Sequence, residues 1–226
     1  MNMQSLLSVP ENQRDLQWEY QFLDSIPNTK YRVLFEEPQQ GPDGWPYLLV
    51  ENSDEGTDYG VALLDWLATR GIGMVINPRK DYPDFVLSWG MAWFFREKKR
   101  FFQPTLAVVG GTEVKTAAPT SGTFTIEQGK NLILGQPTED YMPVYVRNII
   151  SQFFLDQAVL DPKILMVSED GQSYDLTFSI ESLGNPPQSE HQGILEAVSW
   201  FLPPHYSVAM MSEAALSGFQ SLRISN

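Results

Sequence analysis

The chain has only two imidazoles, His191 and His205. With Glu190 they would offer two nitrogens and a carboxylate to a metal ion if the strand after His205 returned beside the helix that begins near His191. The polar neighbours Gln188, Ser189 and Gln192 point instead to two exposed turn residues, so no metal is expected. Asp54, Glu55 and Asp58 resemble the start of a calcium loop. Gly56 stands where an oxygen ligand is wanted, however, and Tyr59 where the invariant glycine belongs, so a solvated loop and a helix cap explain them better. There is no cysteine, which removes thiolate nucleophiles, disulfides and cysteine zinc sites. No Gly-x-Ser-x-Gly elbow, Walker loop or Gly-x-Gly-x-x-Gly turn occurs; Gly71-Ile72-Gly73 precedes a strand instead of following one. Carboxylate pairs are plentiful, but without a position in a fold they cannot be sorted into acid and base. No catalytic residue and no cofactor is expected.

The one segment with an unusual charge is Arg96-Glu97-Lys98-Lys99-Arg100, enclosed by Phe94, Phe95, Phe101 and Phe102. With Arg79 and Lys80 it gathers six of the 15 cationic side chains. Cations beside aromatics would dock an acidic protein, anionic lipid headgroups or single-stranded nucleic acid. The plainer alternative is a hairpin tip kept soluble by charge.

The surrounding composition narrows these choices. With 15 Lys+Arg against 28 Asp+Glu the formal charge is −13, which repels phosphate backbones, so no nucleic-acid partner is expected. Residues 131–226 carry 11 acidic and 3 basic residues, a net −8, against 17 and 12, or −5, in residues 1–130. Hydrophobic residues make up 42% of the 226, enough for a sizeable core. Trp89, Trp93 and Trp200 are expected in that core and not on a ligand platform. Met1 to Pro10 lacks the positive charge and the apolar stretch of a signal peptide, and no window is apolar enough to span a bilayer. A cytoplasmic location without a membrane span is expected.

The elements that must position these residues follow from periodicity. The stretch between Glu11 and Ile26 lacks Gly and Pro until Pro27 and favours a helix; Tyr31–Glu36 and Tyr47–Glu51 read as a hairpin with a long loop. Asp58 would cap a helix with Val61, Leu64 and Ala68 in one stripe, Leu63 and Leu67 beside it, and Gly71 after its end. Ile72–Ile76 is a buried strand closed by Asn77 and Pro78. Phe85–Phe102 fits either two strands or a strand and a helix. Residues 103–130, rich in Gly, Thr, Ala and Pro, read as a linker with one or two short strands.

Asn131–Leu134 is then a strand, and Pro143 falls in the first turn of a helix. Tyr145, Ile149 and Phe153 recur on one side of that helix with Val146, Ile150 and Phe154, while Arg147, Asn148, Ser151, Gln152 and Asp156 fill the other. Ile164–Val167 and Leu176–Ile180 are strands. Ser189 and Gln192 fit a capping box for a helix with Ile194, Val198 and Phe201 in its stripe, stopped by Pro203 and Pro204. Val208–Met211 closes the set. The resulting order is βαββαβ, an arrangement associated with ferredoxin-like units.

Particular strings add a family likeness. Gly60 to Pro78, ending Gly71-Ile72-Gly73-Met74-Val75-Ile76-Asn77-Pro78, resembles the N-terminal domain of the SseB family, the enhanced-serine-sensitivity proteins of bacteria. Leu134-Gly135-Gln136-Pro137-Thr138-Glu139-Asp140-Tyr141-Met142-Pro143 with its following helix, and Leu202-Pro203-Pro204 with Val208–Met211, resemble that family's C-terminal domain. The likeness covers about half of the chain. The long Gly/Thr-rich stretch and the aromatic run Trp89–Phe102 have no counterpart in it. It implies a cytoplasmic bacterial accessory protein and supplies no catalytic motif.

The sequence thus predicts an α+β protein of two small α/β units: 1–102, a linker 103–130, and a C-terminal domain 131–226. Its expected mode of action is adaptor or regulatory binding of a protein partner through Arg79, Lys80, Arg96, Lys98, Lys99 and Arg100. Two other readings remain open: an immunity-type inhibitor whose acidity masks a basic toxin or nuclease, and a small-molecule enzyme using carboxylates in a cleft between domains.

Overall fold

The computed structural model describes the chain outside positions 1, 79–81, 103–107, 116–119, 122–124, 127–130 and 225–226. The fold is α+β, in two units: residues 1–103 with 200–204, and residues 104–199 with 205–226. Among the described residues no helix is long and apolar enough to cross a membrane.

The first unit opens with α1 (Met3–Leu7) and α2 (Leu16–Ser25). Each is started by a side-chain cap: the Ser5 and Trp18 N–H groups donate to Asn2 and Asp15 at 2.9 and 2.8 Å. Strand β1 (Lys30–Val33), the two-residue β2 (Gln39–Gln40) and β3 (Pro46–Asn52) form the expected hairpin, with β2 folded back onto β3. After β4 (Asp58–Tyr59), α3 (Gly60–Ala68) crosses over to β5 (Gly73–Ile76), which lies parallel to β3, and β6 (Phe85–Leu87) pairs antiparallel with β5.

Two details of α3 differ from the periodicity argument. Asp58 does not cap it. Tyr59 holds the cap position without a side-chain bond, because Asp58 is drawn into β4, paired to Tyr31, where its carboxylate accepts from the Thr57 hydroxyl. Val61 also faces outward at 45% exposure, since the buried stripe runs through Leu63, Leu64, Leu67 and Ala68. Gly71, after the helix, has φ +70°, the left-handed geometry glycine tolerates.

The aromatic run resolves as β6 followed by α4 (Trp89–Lys98), capped by the Ser88 hydroxyl. Every residue from Trp89 to Phe95 is buried. Segment 200–204 is part of this unit. Trp93 Nε1 donates to Phe201 O at 2.8 Å, Trp200 stacks on Trp45 at 4.6 Å, and Trp200 Nε1 donates to the Tyr47 hydroxyl at 2.9 Å. Gly90 permits this seating, because a Cβ there would lie 2.0 Å from Leu202 O. The three tryptophans are core residues, as their size suggests.

At the carboxyl ends of the parallel pair β3 and β5, Asn77 closes the sheet in the left-handed region (φ 54°). Its Nδ2 donates to Asn52 Oδ1 at 2.6 Å and to Asp84 Oδ2 at 2.7 Å, and its Oδ1 accepts from Asn52 N–H at 3.0 Å. The Asn-Pro that ends β5 is therefore an amide clasp.

The second unit begins within the Gly/Thr-rich stretch. That stretch carries an eight-residue strand, β7 (Val108–Lys115), and the short pair β8 (Thr120–Ser121) and β9 (Thr125–Ile126). Strand β7 pairs with β10 (Asn131–Pro137) across a register shift between Leu134 and Gln136. Then follow α5 (Val144–Asp156), β11 (Lys163–Ser168), β12 (Asp175–Ser179), α6 (Gln188–Trp200), β13 (Ser207–Met211) and β14 (Gln220–Ser221). The chain order is the expected βαββαβ, but the sheet runs β7-β10-β11-β12-β13 without the interleaving of a split βαβ unit. Among the described strands of this sheet only β12 and β13 are parallel, joined by α6. Ser189 lies inside the first turn of α6, beyond the cap position a capping box requires.

Both units therefore repeat one order: helix, antiparallel strand pair, crossover helix, parallel strand. It is α2-β1-β3-α3-β5 in the first and α5-β11-β12-α6-β13 in the second. In the second unit the carboxyl ends of the parallel pair are closed by charge. Glu181 accepts from the Ser212 hydroxyl and from Glu213 N–H at 2.8 Å, and Glu213 accepts from Ser179 Oγ at 2.7 Å and from Lys163 Nζ at 3.2 Å.

Candidate protein-docking site

The cationic run is placed by the burial pattern of α4. The helix is held by its aromatic face as far as Phe95; the chain then leaves the core at Arg96 and returns at Phe101, which is 3% exposed and stacks on Phe95 at 4.9 Å. The cations sit in the last helical turn and the turn after it, where they face the negative end of the helix dipole. The run is thus a helix terminus and not the tip of a hairpin. Arg96 is half-buried and pairs with Asp65 at 3.2 Å and Glu97 at 4.0 Å. Lys98 is half-buried, and Lys99 and Arg100 are exposed. Lys99 occupies the left-handed C-cap (φ 57°), its N–H donating to Phe95 O at 2.7 Å. A side chain there costs on the order of 1 kcal/mol relative to glycine, so the position keeps a lysine against its backbone preference.

Beside this turn lies an apolar strip. Phe102, two residues after Arg100, is half-buried and meets the edge of Tyr20 at 5.5 Å. Tyr20 is 51% and Leu16 71% exposed, and their spacing puts both on one face of α2. Exposed cations rimming exposed aromatic surface is a composition suited to protein contacts. Sequence reasoning found the cations and missed Leu16 and Tyr20, whose exposure depends on how α2 seats Phe22 and Leu23 in the core. Arg79 and Lys80 lie outside the described residues.

The histidines do not converge. His191 sits in the first turn of α6, where Nε2 lies 3.1 Å from Pro186 O, and His205 follows the other end of that helix, which rises about 14 Å from His191 to Trp200. Among the described residues no three His, Cys, Asp or Glu side chains are grouped to hold a metal ion. Asp54 lines a polar hollow of about 660 Å³ with Asp24, Lys30 and Tyr59.

Among the described carboxyl groups, those that depart from ordinary values are lowered. Backbone N–H bonds from Ser173 and Gln172 hold Asp170 down. For Glu181 partial burial works upward and is overcome by its bonds from Ser212 and Glu213. Neither is tuned toward a general acid at neutral pH. Burial pushes the Tyr31, Tyr47 and Tyr141 hydroxyls far up.

Arg147 stands apart from the outward-facing position its sequence neighbours suggest. It is only 5% exposed, on the same side of α5 as Val146, Ile150, Ser151 and Phe154, and its Nε and Nη2 donate to Met142 O at 3.0 Å and Pro137 O at 2.6 Å. Asn148, Gln152 and Asp156 do face outward. The signal available in the sequence was its place directly after Val146 and four residues before Ser151, at the margin of the apolar stripe.

Compared with protein-family models, curated proteins and solved structures, the chain finds no match.

Proposed function

We propose that this chain is an accessory protein that works by docking an acidic protein partner, using the cationic end of α4 as the steering element and the strip Leu16, Tyr20 and Phe102 as the contact. The observation that carries this reading is the juxtaposition at that turn. Exposed Lys99 and Arg100, the former held in a left-handed conformation, adjoin half-exposed aromatic rings on a molecule whose formal net charge is −13. A local cationic turn on an anionic protein orients encounter with a complementary acidic face. The likeness of Gly60–Pro78 and Leu134–Pro143 to SseB proteins is in keeping with a bacterial adaptor or regulatory role, exercised in the cytoplasm.

The test is affinity capture with the full chain from the cells that express it, comparing wild type with K98E/K99E/R100E. The reading expects an acidic partner retained by wild type and weakened at least about tenfold by the reversal, because like charges brought together at an interface cost more than 1 kcal/mol. Unchanged recovery would overturn it.

A further inference from the structure

Among the described residues Arg147 is a buried cation without an ion-pair partner. Two of its five N–H groups are used on main-chain carbonyls, and no carboxylate among the described residues pairs with it. A cation taken out of water is costly unless an anion or ordered polar groups compensate. Burial accordingly draws the guanidinium's pKa down, and the charge of Glu139 works in the opposite direction. Arg147 lines a cavity of about 440 Å³ in the second unit, whose wall also carries Arg223, Thr138, Glu139 and Gln220. Two arginines against one glutamate leave the wall locally positive within a part of the chain whose net charge is strongly negative.

We infer that this cavity is a binding site for a small oxyanion, the carboxylate or phosphate group of a metabolite, gripped by Arg147 and closed over by Arg223. The fixed fork of a guanidinium matches two oxygens of such a group. Arg147 is preorganised for this, since its bonds to Met142 O and Pro137 O fix the plane of the guanidinium. Arg223, exposed on the same wall, adds a second contact, while Glu139 opposes the bound anion. The site is separate from the docking turn and stands or falls without it.

The experiment is calorimetric titration of the full chain with sodium phosphate and, separately, sodium acetate, at constant ionic strength set with chloride. Saturable binding is expected with a Kd on the order of 1 mM. Binding of phosphate alone identifies a phosphoryl ligand, and binding of acetate as well identifies a carboxylate. Arg223→Gln should weaken binding by about three- to tenfold without changing the melting temperature, and Glu139→Gln should tighten it a few-fold. Arg147→Lys, which keeps the charge and loses the fork, should weaken it most; if that variant does not fold, the other two decide. No saturable binding of either anion, or the same Kd in wild type, R223Q and E139Q, would overturn the inference. K99E/R100E should bind the anion as wild type does.

Discussion

The two units build the same succession of helix, strand pair, crossover helix and parallel strand, yet they distribute charge in opposite ways. In the first, the carboxyl ends of the parallel strands are closed by the amides of Asn52 and Asn77 with Asp84, and four cations gather at the end of α4. In the second, the same place is closed by Glu181, Glu213 and Lys163, and a cation is kept inside at Arg147. The order of elements therefore sets geometry without setting electrostatics. An exposed cation on a helix end contributes little to stability and is free to steer a partner. A buried one is held by its hydrogen bonds and confers chemical selectivity at one spot.

The sharpest break in this contrast comes from removing the buried cation. Arg147→Met leaves the carbonyls of Met142 and Pro137 without their donors and should cost about 3 kcal/mol, read by urea denaturation. The double reversal K99E/R100E should change stability by less than about 0.5 kcal/mol. Equal losses would erase the distinction between the two regions. The amide clasp comes next. Asn77→Ala removes three hydrogen bonds and places alanine at positive φ, for about 2 kcal/mol; Asn77→Gly, spared the backbone cost, should lose less.

A smaller effect of opposite sign belongs to Lys99. Lys99→Gly relieves the left-handed C-cap and should stabilise the protein by about 1 kcal/mol while weakening partner capture, a gain in stability at the expense of function. If capture were unaffected, the retention of lysine at a glycine position would have no functional meaning.

The charged clasp adds a pH dependence that the amide clasp lacks. Glu181 is held below the ordinary glutamate value of 4.5, so its contribution is present above that pH and fades as pH falls below it through the folded-state value. Glu181→Gln should flatten the acid limb of a melting-temperature profile below about pH 4.5. An acid limb identical to wild type would show that the clasp is not coupled to folding. The effect is modest, because the carboxylate is largely accessible to solvent.

Much of this architecture was legible in the residues. The apolar run ending Asn77-Pro78, the Phe and Ile spacing of α5, and the strands Ile164–Val167 and Leu176–Ile180 have local signatures of period and punctuation. Other features have none. Asp58 is held by strand pairing instead of capping a helix, and Val61 faces outward because the buried stripe of that helix runs through Leu63, Leu64, Leu67 and Ala68. The Gly- and Thr-rich composition around Val108–Lys115 signals only short strands in a linker, whereas β7 runs eight residues paired with β10. Trp200 to Pro204 read as the end of a helix, and nothing local to them tells that Trp93, Gly90 and Tyr47, more than a hundred residues earlier, form their seat. At the candidate site the cations were plain in the sequence. Their aromatic neighbours and the burial of Arg147 depended on packing, which a single sequence leaves unspecified.

The most direct measurement is photo-crosslinking in cells that express the protein, with a reactive residue placed at Tyr20 beside the cationic turn or, as the contrast, at Leu160, which is 74% exposed in the second unit. Docking through the end of α4 predicts one discrete adduct with an acidic protein from position 20, lost in K99E/R100E, and none from position 160. An adduct from position 20 that survives the charge reversal, or adducts from position 160 alone, would contradict it.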